Sequence, residues 1–83
     1  MDINEQIRIF GEGLKGRIDP IVIDFDLEYI EHSESILAFE TLCDHIADYG
    51  ILITKNEYKK ILDIANELCL EINNRYLYIN PEK

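Results

Sequence analysis

Lysine and arginine are missing from the middle of this chain. Across the 37 residues from Ile18 to Thr54 there is no base, while Asp19, Asp24, Asp26, Glu28, Glu31, Glu34, Glu40, Asp44 and Asp48 supply nine acids. The rest of the sequence carries eight acids and eight bases, so the net charge of -9 arises in that segment alone. A field so one-sided disfavours nucleic acid or an anionic membrane as a direct partner and suggests a basic protein.

Other absences narrow the class further. No apolar run approaches the roughly 18 residues that a membrane-spanning helix needs. The opening MDINEQIRIF begins with an acid and lacks the basic start of a secretory signal, so a cytoplasmic location is the expectation. Cys43 and Cys69 show no CxxC spacing and fall on apolar faces, which predicts free buried thiols in a reducing compartment. Neither His32 nor His45 follows a glutamate by three positions, so the Glu-x-x-His pattern of a di-metal bundle is missing. Cys43, Asp44 and His45 are too close in sequence to share a helix face as ligands. A cysteine nucleophile wants an electropositive, accessible setting, and these thiols have the reverse. Gly11, Gly13 and Gly16 follow a helix, whereas phosphate-binding glycines follow a strand. No catalytic residue, cofactor or metal ligand is therefore assigned, and the expectation is a binding protein that is not an enzyme.

Eighty-three residues suffice for one domain with one modest core. Helical spacing dominates and predicts an all-α bundle of about four mostly antiparallel helices near 3–14, 20–32, 34–48 and 55–70 or longer. Asp2 with Glu5 resembles a capping box ahead of Ile3, Ile7, Phe10 and Leu14. Gly11, Gly13 and Gly16 weaken the end of that helix. Asp19 before Pro20 opens the second helix, whose Ile21, Val22, Phe25, Leu27, Tyr29 and Ile30 make it apolar on more than one side, as for a helix packed between neighbours. Ile36, Phe39, Leu42, Cys43 and Ile46 face inward on the third, and 50–53 form an apolar connector over the core. Thr54 with Glu57 repeats the capping box before Tyr58, Ile61, Leu62, Ala65, Leu68 and Cys69. Beyond residue 70 a continued 4-3-4-3 rhythm favours extending this helix to Asn80, against the strand-like composition of Tyr76-Leu77-Tyr78-Ile79.

The acids form rows. Asp24, Glu28 and Glu31 share one face of the second helix, and Glu40, Asp44 and Asp48 share one face of the third. Like charges at these spacings cost roughly 0.2–0.5 kcal/mol per pair, so the rows together cost about 1–2 kcal/mol. Solvating a helix does not require that cost, because mixed charges would serve equally well. The rows thus read as a surface for a basic partner, with Tyr49 and Tyr29 as candidate aromatic anchors.

The stretch DLEYIEHSESILAFETLCDHIADYGILITKNEYKKILDIANEL resembles the MafI-type immunity proteins of bacterial polymorphic-toxin and contact-dependent growth inhibition systems. The likeness rests on the Tyr-Ile-Glu-His helix end, the Leu-Ala-Phe-Glu-Thr-Leu-Cys-Asp run, the acid-Tyr before the turn and the Ile-Thr-x-x-Glu-Tyr opening, and it covers roughly residues 1–70. Gly50 departs from the acid common there, and residues 71–83 have no counterpart. The resemblance implies a cytoplasmic protein that binds its cognate basic toxin domain one to one and neutralises it, the toxin being a ribonuclease, often of the EndoU type. It puts Glu40, Asp44, Asp48 and Tyr49 first among partner-binding residues, with Glu31 and Glu34 second. Two other functions fit the same residues: a generic acidic interaction module or antitoxin-like regulator, and self-association of the tail through Tyr76, Tyr78 and Ile79.

Overall fold

The structure, a computed structural model, describes residues 2–82. It is all-helical, with α1 at Ile3–Glu12, α2 at Pro20–Glu28 running into a 3-10 helix at Tyr29–His32, α3 at Ser35–Asp48, α4 at Lys55–Glu67 and α5 at Asn74–Leu77. Among the described residues there is no strand.

α1, α2 and α4 start where side chains satisfy their first amides. Asp2 accepts from the Asn4 amide at 2.8 Å, and Asp19 accepts from Ile21 at 3.0 Å with Pro20 in the first turn. Thr54 and Glu57 form the reciprocal capping box, at 3.0 and 2.9 Å. Glu57 also receives Arg17, which joins the turn after α1 to the start of α4.

Three helix ends share one geometry. Ser33, Gly50 and Cys69 adopt φ of 60, 61 and 61°. Behind them the amides of Glu34, Ile51 and Leu70 donate to the carbonyls of Tyr29, Ile46 and Ala65, five residues back. This is the Schellman closure, which satisfies carbonyls that would otherwise be orphaned. At Cys69 it ends α4, so the extended helix through the tail does not form. Residues 70–73 are irregular, and α5 is a separate short helix. Cys69, expected among the buried thiols, is exposed on that turn, whereas Cys43 is fully buried.

α1 packs against α2, α3 and α4, and α3 packs against α2 and α5. Ile7, Phe10 and Leu14 from the α1 segment meet Ile23 and Leu27, Phe39, Leu42 and Ile46, and Ile61 and Ile64 in one core. Gly11 lies inside α1 and permits this closeness, since a Cβ there would stand 3.0 Å from a Leu27 methyl. The tail completes the core: Tyr76 and Ile79 are buried, and the Tyr76 ring stacks on Phe39 with centroids 5.9 Å apart. Two of the three residues proposed for self-association are thus committed within the chain, and only Tyr78 of them is exposed.

Further inward assignments need correction. Ile21 and Phe25 point outward, so α2 is covered on one side only, and Ile36 is exposed in the first turn of α3. The connector holds Ile53 in the core but leaves Leu52 78% exposed.

Two stability measurements follow from these contacts. Arg17 holds the Glu57 carboxyl below its ordinary value of 4.5, against the opposing effect of partial burial, and the Thr54 amide helps. The contribution of the Glu57 charge is therefore present above the unfolded pKa and lost as pH falls through the folded one. Glu57→Gln keeps the capping box, so urea unfolding should show a deficit of about 1 kcal/mol at pH 7 that closes progressively below about pH 4.5. Cys69→Gly relieves a left-handed residue that buries no side chain, and should raise stability by about 0.5–1 kcal/mol.

Candidate functional site

The third helix carries its acids as the spacing predicts, but two of them are already engaged. Arg75 sets its Nε 2.8 Å from Asp44 Oδ1 and its Nη1 2.8 Å from Glu40 Oε2. Asn73 caps α5 by accepting from the Arg75 amide at 3.0 Å, which places the guanidinium beside α3. The row is thus a clamp of two carboxylates around one cation, followed by Asp48, which has no ion-pair or hydrogen-bond partner among the described residues.

Next to the clamp lies an open groove of about 600 Å³ between α3 and α5, lined by Asp44 and Ala47 from α3 and by Arg75, Leu77 and Tyr78 from the tail. A smaller hollow of about 190 Å³ adjoins it, sharing Ala47 and Tyr78 and bounded by Gly50 and Leu52. Tyr49 is 54% exposed at the end of α3, its ring 6.0 Å from that of His45. Asp48, Tyr49, Leu52 and Tyr78 thus combine carboxylate with exposed apolar and aromatic surface around α3's last turn, the mixture that interfaces use for anchoring.

Glu31 and Glu34 belong elsewhere. Glu31 pairs with Arg8, and Glu34 precedes α3 without capping it through its side chain. At 1.5 Å per residue Glu34 and Asp48 are about 21 Å apart along the helix. The six proposed residues therefore divide into a row along α3 from Glu40 to Tyr49 and a pair before its start.

Sequence reasoning missed two residues that shape this face. Arg75 is one, since nothing local marks it as the counter-ion of acids 31 and 35 positions away. Asp26 is the other: it is 1% exposed, with Oδ2 bonded to His45 Nδ1 and Oδ1 without a hydrogen-bond partner among the described residues. Burial pushes its carboxyl above the ordinary range and the negative Asp44 adds to this, while the His45 hydrogen bond opposes it. The available signal was its position, three residues after Ile23 and four before Ile30, within the buried stripe. His45 is thereby held as a link between α2 and α3. Burial also drives the Cys43 thiol far above its usual range, assisted by Asp44, so it remains protonated at neutral pH. Among the described residues no three His, Cys, Asp or Glu side chains are grouped to hold a metal ion, and no helix is long and apolar enough to cross a membrane.

The fold and face together define a small all-helical domain with an acidic, aromatic-edged surface at the junction of α3 and the tail. No family model, curated protein or solved structure matches the chain.

The clamp is testable alone. A double-mutant cycle between Arg75→Gln and Asp44→Asn, read by urea unfolding, should give a coupling of about 0.5–1 kcal/mol that declines with added salt, as expected of a partly exposed pair.

Proposed function

We propose that this protein is an immunity protein that binds a cognate basic toxin domain and neutralises it, with the end of α3 and the adjoining tail as its binding face. The observation that carries the reading is Asp48, without an ion-pair partner among the described residues, at the end of a helix whose last turn and following connector expose Tyr49 and Leu52 and whose Asp44 and Ala47 line an open groove with Tyr78. The likeness to MafI-type immunity proteins points to a ribonuclease of the EndoU type as the toxin. A ribonuclease holds a polyanion in a basic cleft, and a carboxylate-bearing helix end can occupy such a cleft in place of RNA. A standard interface of roughly 800 Å² per partner would take about a sixth of the 5076 Å² of accessible surface.

The net charge of -9 speeds encounter with a cation, whereas the aromatic and apolar edge supplies specificity. Reversing all three acids of the row is a poor test, since lysines at positions 40 and 44 would confront Arg75 and unseat the tail. Asp48→Lys with Tyr49→Ser disturbs no core residue. In cells expressing an EndoU-type ribonuclease toxin domain that the unaltered chain neutralises, the double variant should lose protection while its helical circular dichroism is unchanged. Binding by the purified pair should weaken by about 100-fold or more, as for loss of central anchors. Full protection by a folded double variant would remove this face from the proposal.

A further inference from the structure

A second face carries a different combination. Ile21, Asp24, Phe25, Glu28 and His32 recur at helical spacing along α2 and the 3-10 helix after it, and all five are exposed. Ile21 is 76% and Phe25 62% exposed, although the opposite side of the same helix buries Ile23, Asp26 and Leu27. The apolar character that suggested a helix between two neighbours therefore leaves one side uncovered.

Within this side, Phe25 and Tyr29 meet edge to face, with ring centroids 6.1 Å apart and planes at 83°. With Glu28 and His32 they wall a hollow of about 130 Å³. Two aromatic rings and a carboxylate around one small space favour a cation over a neutral or anionic group. Neighbouring acids are already engaged, Asp24 by Lys15 at 2.6 Å and Glu31 by Arg8. Among the described residues Glu28 has one charged neighbour in reach, the His32 imidazole at 3.9 Å.

We propose that this hollow receives one lysine or arginine side chain from a basic amphipathic helix of a partner protein, whose apolar side chains seat on Ile21 and Phe25. Charge selects this occupant. A second copy of the chain would bring -9 against -9, and the segment that forms this face contains no lysine or arginine of its own. Ile21 and Phe25 stand one turn apart, so a helix carrying a cation one turn from an apolar residue matches the hollow and the ridge together. The hollow shares no residue with the α3 and tail groove, so the two proposals stand or fall separately.

The test uses the full chain and a synthetic peptide of about 14 leucines and arginines in amphipathic helical order, long enough to fold on contact. Titrated at about 0.15 M salt, where distant charges are screened, it should shift the NMR signals of Phe25, Tyr29 and His32 saturably. Phe25→Ser should weaken binding about tenfold and Glu28→Gln about threefold, as for loss of an aromatic anchor and of one charge contact. Asp48→Asn should leave it within about twofold, and a leucine–glutamate peptide of the same pattern should not bind. Both altered side chains are solvent-facing, and the Glu28 variant keeps the test open if the Phe25 variant unfolds. Shifts centred on Glu40 to Asp48 or spread over all acids, or wild-type affinity in both variants, would overturn the proposal.

Discussion

Arg75 reaches from a four-residue helix to Glu40 and Asp44 on α3, and that reach sets how the tail is oriented as it closes on the core. A sequence with no base between residues 18 and 54 must find counter-charges for its acidic middle at its two ends. Arg8 and Lys15 do so from one side, toward Glu31 and Asp24, and Arg75 does so from the other. Magnitudes separate aim from energy. A partly exposed ion pair contributes at most about 1 kcal/mol, whereas burying a large apolar side chain contributes about 1.5–3 kcal/mol. Tyr76 and Ile79 therefore supply most of what holds the tail, and Arg75 settles which side of its turn meets α3. With the clamp in place, the like charges at positions 40 and 44 share a cation, and the repulsion expected from their spacing is largely offset.

Much of the fold was legible because its signals are local. Asp19 before Pro20 and Thr54 with Glu57 mark helix starts through contacts within three residues, and the structure places those caps as read. The stripe of Phe39, Leu42, Cys43 and Ile46 follows from helical period alone. Helix ends were less legible for a physical reason. The same left-handed closure recurs at Ser33, Gly50 and Cys69, but only glycine advertises it, because only glycine adopts that conformation without steric cost. At Cys69 the apolar rhythm continues past the turn, since Tyr76 and Ile79 do face the core, but from a different helix. Period records which residues are inward and does not record that the backbone has turned between them.

The acidic face was legible in part for a related reason. Spacing places Glu40, Asp44 and Asp48 on one side of a helix, but it cannot show which carboxylates are matched by bases distant in sequence. Asp26 illustrates the limit from the other direction. Counted with the surface acids, it is instead buried against His45, where an unscreened carboxylate is costly unless hydrogen-bonded. Its site in the apolar stripe of α2 was visible, but the histidine that makes it tolerable lies 19 residues on.

Sorting the acids by partner changes what the net charge can do. Carboxylates clamped by Arg75, Lys15 or Arg8 have much of their near field cancelled, and their role is to hold elements together. Asp48, by contrast, presents its charge to solvent, as does Glu34 at the other end of α3. Beyond a screening length of about 8 Å in physiological salt only nearby unpaired charges are sensed individually. A cationic partner would therefore be drawn in by the overall excess of acid but oriented by the few carboxylates left unmatched. Asp48, next in sequence to the exposed Tyr49, and Glu28, which shares a hollow with Phe25 and faces the His32 imidazole, would offer such a partner attraction and apolar burial at one place. Glu34 offers charge alone, and charge alone discriminates poorly between basic surfaces.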